Sequence, residues 1–319
     1  MLKRILAVVS VLVLLALLFV SWLIGSAHFQ IRRIRPALPT VGAVRSAVDA
    51  VSDGPVRLRW INTSSQASPR AAALGSADPN PELPYRLCHS SFVLEWADGR
   101  TLLIDAGMTR PEAEKFGALG QWVGAEPAEI ITTVGETLGS NNQRIDGLMF
   151  THLHVDHIEG ARELCPLVGD NRLPVFMTGN QRNEQNLHTS QGLRTLEALK
   201  CLDLRELADQ ALAPVAGFPG LFVIQASGHT PGSQVIVAAL RTEGRNTPVV
   251  FTGDTVIQID GVTHDVSKPA LYSALIVPED DERLGEVRRF LRSLRDESEF
   301  ELLVSHDQYA LEASSIFEY

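Results

Sequence analysis

Seven residues near the middle of the chain, Thr151-His152-Leu153-His154-Val155-Asp156-His157, constrain its fold more than any other stretch. They follow Gly147-Leu148-Met149-Phe150, a short apolar run that reads as a buried strand. In extended backbone, residues two apart point to the same side, so His152 and His154 can reach one cation together. Asp156 and His157 stand where the chain must turn into a helix, and they can aim at a second cation nearby. Imidazole nitrogen with carboxylate oxygen suits zinc and related divalent ions. A lone histidine at a strand end is more often a turn or capping residue. Three histidines and an aspartate in so short a span argue for a metal site.

The surrounding sequence alternates strand-like and helix-like segments. Residues 56–61 alternate apolar and polar positions, as a half-buried strand does, and residues 92–96 and 101–104 flank Asp98-Gly99, a hairpin signal. Residues 64–86, rich in Ser, Ala, Pro and Asn, read as a long surface loop. Further buried strands are expected at 174–177, 221–224, 235–237, 249–251 and 302–304, with helical stretches at 111–140, 182–200 and from Pro278 onward. The last helix carries Leu284, Val287, Leu291 and Leu294 on one stripe. Glu279, Asp280 and Asp281 suit its positive end, and Arg292 and Arg295 its negative end. Three later polar residues stand at the carboxyl ends of apolar strands: His229, Asp254 and His306, where loops carry function on a rigid sheet.

The set His152, His154, Asp156, His157, followed in order by His229, Asp254 and His306, resembles the metallo-β-lactamase superfamily across most of residues 56–319. The resemblance implies an α/β fold, an αββα sandwich with a metal pair at one edge of its two sheets. It implies that His152, His154 and His229 hold one metal, that Asp156, His157 and His306 hold the other, and that Asp254 bridges them. Asp105, in Leu103-Ile104-Asp105-Ala106-Gly107, is similar to an earlier aspartate of the family that orients ligands. The implied cofactor is two divalent ions, zinc first, with iron or manganese as alternatives. Four positive charges against the two of Asp156 and Asp254 favour a bridging hydroxide, which can attack an electrophilic carbonyl or phosphorus at neutral pH.

Within the superfamily, Gly228-His229-Thr230-Pro231-Gly232 and Ser305-His306-Asp307 look most like the lactonase and esterase branch, so a small lactone or ester is the expected substrate. Phosphoester hydrolysis and mononuclear iron chemistry of the persulfide dioxygenase kind are the alternatives. Several such lactonases carry a tyrosine just after the bridging aspartate, whereas this chain has Thr255-Val256-Ile257 there. Tyr272 is a candidate replacement, as are His264 and Asp265 for facing the site, although interior packing and solvated loops are the plainer roles. The loops at 64–86 and 108–145 are expected to shape the pocket. A net charge of −10 disfavours nucleic acid as a partner, leaving a small-molecule substrate.

The amino terminus points to a membrane. Lys3 and Arg4 precede an apolar run from Ile5 to Ile24, broken only by Ser10 and Ser21, with Trp22 near its end. Twenty helical residues span roughly 30 Å, the thickness of a bilayer's hydrocarbon core. Residues 1–27 therefore read as an uncleaved anchor or, with Gly25-Ser26-Ala27 as a cleavage site, a signal peptide. Residues 28–55, with Pro36, Pro39 and Gly42, read as a linker to a hydrolase domain at 56–319, placed outside the cytoplasm or exported. The basic residues Arg32, Arg33 and Arg35 after the run leave the orientation undecided by charge. Cys88, Cys165 and Cys201 cannot all pair within the chain, and the sequence does not choose a pair.

Overall fold

The computed structural model describes residues 2–122, 124–168, 172–297 and 300–319. Thirteen strands are present among them: β1 (Arg57–Ala67), β2 (Arg86–Glu95), β3 (Thr101–Ile104), β4 (Glu129–Ile130), β5 (Gly147–Met149), β6 (Leu173–Met177) and β7 (Leu202–Glu206), then β8 (Ala213–Pro214), β9 (Leu221–Gln225), β10 (Gln234–Thr242), β11 (Arg245–Phe251), β12 (Glu301–Leu303) and β13 (Phe317–Glu318). They form two sheets. The first runs β13-β1-β2-β3-β5-β6-β7 with β4 paired to β1, and the second runs β12-β11-β10-β9-β8.

Both sheets are covered on both faces, and the alternation of side chains shows it. On β2, Phe92 and Leu94 enter the core between the sheets while Val93 faces the outer helices. On β10, Ile236 and Ala238 face inward, and Val235 and Val237 face the opposite helical layer. Phe92 meets Phe251 across the sandwich, ring centroids 4.9 Å apart. Strands buried on both sides must be apolar at nearly every position, which is why these short runs were visible in the sequence. The architecture is an αββα sandwich, as expected.

The Asp98-Gly99 turn joins β2 to β3 as an antiparallel hairpin, with Gly99 at φ +88°. The late helix spans Asp281–Asp296 and buries Leu284, Val287, Leu291 and Leu294. It starts three residues later than expected, because the Asp280 side chain accepts from the Arg283 amide and caps it there.

Two expectations need correction. Residues 28–55 are not an extended linker. The first helix, α1 (Leu2–Arg33), continues six residues beyond the expected boundary at 27. A second, α2 (Val41–Asp49), is capped by the Thr40 side chain and buries Val44 and Val48. Those valines lie four apart, hence on one helix face, and pack against the outer face of the second sheet. The Ala37 amide also donates to the Gln225 carbonyl at 2.9 Å. Proline and glycine here mark a sharp helix start, not a tether. Residues 64–86 are likewise not one loop: β1 extends to Ala67, and a helical turn at Ala71–Leu74 packs Ala73 and Leu74 against Tyr85, Ile257 and Val266.

Cys165 and Cys201 form a disulfide, joining the segment after the histidine cluster to the start of β7. Cys88 is a buried free thiol.

A chain beginning at residue 56 is expected to unfold at lower urea than one beginning at residue 36, with a loss of at least about 3 kcal/mol for the two buried valines. Coincident midpoints for the two chains would show that α2 is dispensable.

Candidate metal centre

β5 lies between β3 and β6, parallel to both, and delivers the histidine cluster at its carboxyl end. The backbone stays extended through His154 (φ −77°, ψ 158°) and then enters a short helix, Val155–Ile158, that carries Asp156 and His157. His229 stands in the β9–β10 connection, Asp254 in the turn Gly253–Thr255 after β11, and His306 just after β12. Gly253 makes the turn at φ +51°, and a Cβ there would lie 2.7 Å from the Thr151 side chain. Only glycine lets β11 end this close to the histidine cluster.

All seven sequence-predicted residues are buried and converge in two groups. His152, His154 and His229 form one, and Asp156, His157, Asp254 and His306 the other, each with its ligand atoms within 4.8 Å of one another. In the first, His229 Nε2 lies 3.1 Å from His152 Nε2 and 3.0 Å from His154 Nδ1. In the second, His157 Nε2 and His306 Nε2 are 3.3 Å apart, and Asp156 Oδ2 lies 3.7 Å and 3.5 Å from them. Asp254 faces both groups. Its Oδ1 is 3.2 Å from His157 Nε2 and 3.0 Å from His306 Nε2, while its Oδ2 is 3.5 Å from His229 Nε2 and 3.8 Å from His152 Nε2.

The outer ring nitrogens decide where the protons lie. A carboxylate or carbonyl oxygen only accepts, so the ring nitrogen beside it must carry the hydrogen. His157 Nδ1–H donates to Asp105 Oδ2 at 2.9 Å, and His306 Nδ1–H donates to the Cys88 carbonyl at 2.7 Å. His229 Nδ1–H donates to Glu279. The Thr151 hydroxyl donates to Asp105 at 2.8 Å and, at 3.2 Å, accepts from His152 Nδ1. Each of these four rings in its neutral form therefore turns an Nε2 lone pair inward. Burial holds His152, His154 and His229 below the usual imidazole range. Burial also opposes charge on His157 and His306, but nearby carboxylates outweigh it and raise both: Asp105, Asp254 and Asp156 for His157, Asp254 and Asp156 for His306.

This donor set fits divalent cations. Imidazole nitrogens and carboxylate oxygens crowd together inside two buried groups, and Asp254 Oδ1 is buried without a hydrogen-bond partner. Such groups are costly unless a positive charge lies between them.

Asp105 lies behind the cluster, against Thr151 and His157. It is fully buried with φ +56°, a strained conformation for a residue with a side chain. It also accepts from the Thr151 amide at 2.7 Å, so one carboxylate fixes both ends of the cluster's first turn. Glu279 is a functional residue that sequence reasoning missed, having been assigned to the helix dipole. Its side chain is buried, accepting from His229, Lys268 and Ser273. Burial pushes its carboxyl up, but Lys268 and His229 outweigh this and hold it below the usual range. Lys268 in turn donates to the Asp254 carbonyl at 2.6 Å. The missed signal was that a histidine ligand at the end of a strand needs an acceptor behind it. His89, on β2, was missed too: its Nδ1 meets the Ser64 hydroxyl at 2.8 Å, and its buried Nε2 points to Asp156 Oδ2 at 3.8 Å.

Among the weaker candidates, Tyr272 is half-buried near the centre. Its phenol is held well above its ordinary value by burial and by the carboxylates of Glu279, Asp254 and Asp156. His264 and Asp265 turn away: His264 is partly exposed beside Asp260, and Asp265 pairs with Arg288 at 2.9 Å. The 108–145 region reaches the site through Phe116, whose ring meets His89 with centroids 4.8 Å apart.

Residues 85–298 match the family model of the metallo-beta-lactamase superfamily. The chain belongs to that superfamily. Solved structures share the fold at low identity. One is an N-acyl homoserine lactone hydrolase with the product N-hexanoyl-L-homoserine bound at its catalytic metal centre (16% identity, TM-score 0.59, 83% of this chain and 98% of that one). Another is a B. thuringiensis AiiA variant with N-decanoyl-L-homoserine bound at the active site (16%, 0.58, 83% and 98%). A third is a probable metal-dependent hydrolase from Staphylococcus aureus (15%, 0.54, 81% and 91%). No curated protein sequence matches the chain. Superfamily membership and the two His/Asp clusters indicate divalent metal binding.

Glu279→Ala is expected to weaken divalent-metal binding by about 10–100-fold in a zinc chelator competition titration, because His229 loses the acceptor that fixes its tautomer. Unchanged affinity would show that Glu279 serves packing alone.

Proposed function

We propose that this protein is a dinuclear metal-dependent hydrolase acting on a lactone or ester. The observation that carries the reading is the Asp254 carboxylate, which turns one oxygen toward each of the two ligand groups. Held at these groups, two divalent cations supply an acidified water as nucleophile and a sink for the negative charge that develops on the attacked oxygen.

The chain's own residues do the rest. His152, His154 and His229 present three lone pairs at one position; Asp156, His157 and His306 present theirs at the other. Asp105, Glu279 and the Cys88 carbonyl hold three of the rings in the required tautomer. Tyr272, within electrostatic reach of Asp254 and Asp156, is the candidate donor to the departing oxygen in place of the tyrosine absent after Asp254. Burial of all seven side chains keeps bulk water away and strengthens each electrostatic interaction.

The lactone or ester preference is supported by the likeness to acyl homoserine lactone hydrolases, and phosphoesters are the neighbouring alternative. Zinc is the expected metal. The long apolar α1 is a candidate membrane anchor or signal segment. Placement of the folded domain outside the cytoplasm is supported by the Cys165–Cys201 disulfide, since such bonds persist in oxidising compartments.

Metal analysis of the purified protein is expected to return close to two zinc ions per chain, with turnover of aryl esters or lactones that chelation removes. One iron per chain, with no ester hydrolysis, would favour the persulfide dioxygenase alternative. Asp254→Ala is expected to lower kcat at least a thousandfold and to reduce metal content; wild-type turnover in that variant would refute the bridging role.

A further inference from the structure

The end of α1 does not hang free of the catalytic domain. His28 Nε2 meets the Ala274 carbonyl at 3.1 Å, Arg32 pairs with Asp280 at 3.5 Å, and the Ser227 hydroxyl donates to the Ile34 carbonyl at 3.2 Å. These contacts fall on the His229 connection and on the residues either side of Glu279. The anchor is therefore fixed beside the metal centre.

Where they meet, a groove of about 210 Å³ opens, lined by Leu23 and Ile24 of α1, by Leu187 and His188, and by Leu275 and Ile276. This is smaller than the roughly 300–1,000 Å³ of a site for a compact drug-sized ligand, and its lining is almost wholly apolar. It suits a slender hydrocarbon chain. At its inner end His188 touches His154 edge to face, centroids 5.8 Å apart, and His154 Nε2 is buried with no partner. One side chain, His188, thus stands between the groove and the first ligand group.

Its outer rim is exposed: Leu271, Leu275, Ile276 and Leu187 are 73%, 58%, 57% and 50% accessible. A water-facing cluster of large aliphatic side chains is unusual unless something covers it. Here the covering medium is given by α1. Its apolar stretch ends at Ile24, with Trp22 at the position of an interfacial anchor. The rim contacts α1 at that same level. In a membrane, Leu275 and Ile276 stand at the boundary of the hydrocarbon core.

We propose that the mouth of the metal centre rests on the bilayer and that its substrate is an amphiphile whose acyl chain lies in the groove between α1 and the 271–276 segment. The polar, cleavable end then reaches the two ligand groups past His188. This specifies the substrate class and rests on the hydrolase reading above.

Two measurements on the full-length, zinc-loaded protein in phosphatidylcholine nanodiscs decide it. The first does not need turnover. Leu275→Cys, labelled with bimane, should be quenched by nitroxide carried on the lipid acyl chains, and a label at Thr242→Cys, on the far end of β10, should not. Equal quenching at both positions, or none at 275, overturns the proposal. The second compares p-nitrophenyl palmitate with p-nitrophenyl acetate. The wild-type chain should favour the palmitate, and Leu275→Ser/Ile276→Ser should reduce the ratio of their kcat/KM values at least tenfold. An unchanged ratio overturns the acyl groove. Absence of any turnover in the wild type counts against the hydrolase reading instead, and leaves the quenching result to decide the bilayer contact.

Discussion

A buried carboxylate surrounded by imidazole lone pairs is stable only if positive charge lies between them, and that requirement organises this molecule. Asp254 sits at the centre of two such clusters, and four of the five surrounding rings have their protons directed outward by specific acceptors. Turning any one of those rings over would place an N–H inside and remove a ligand. The outward acceptors therefore matter as much as the nitrogens they orient.

The sandwich makes this arrangement affordable. Asp105 is strained at φ +56°, and Gly253 brings β11 into contact with Thr151. Strain of this kind persists where surrounding structure over-determines it. Here the ends of both sheets converge: β5 and β11 deliver ligands from different sheets, and the Cys88–His306 contact joins β2 to the turn after β12. A rigid core holds the ring nitrogens near 3 Å from one another.

Much of this was legible in the sequence because the dominant signals are local. Strands buried on both faces must be apolar runs, so β5, β9, β11 and β12 stood out, and the ligands follow within a few residues of each. The 151–157 cluster reports its own geometry through the period of an extended chain and the start of a helix. What stayed hidden depends on contacts distant in sequence. Glu279 serves His229 from fifty positions away, and beside Asp280 and Asp281 it looked like part of a helix start. His89 lies in the first half of β2, ahead of the 92–96 stretch that the apolar pattern marks as strand. The helix α2 was taken for a linker because its two buried valines form too short a stripe to outweigh Pro36, Pro39 and Gly42. The short strands β8 and β13 carry two residues each, too few for any pattern.

The central claim, that Asp254 joins two metal positions in one centre, is open to direct measurement by X-ray absorption at the metal edge of the loaded protein. The account predicts imidazole-rich first shells and a metal–metal vector of roughly 3.5–4 Å, the spacing of bridged two-metal sites. A spectrum with no metal–metal scattering at full loading would contradict it.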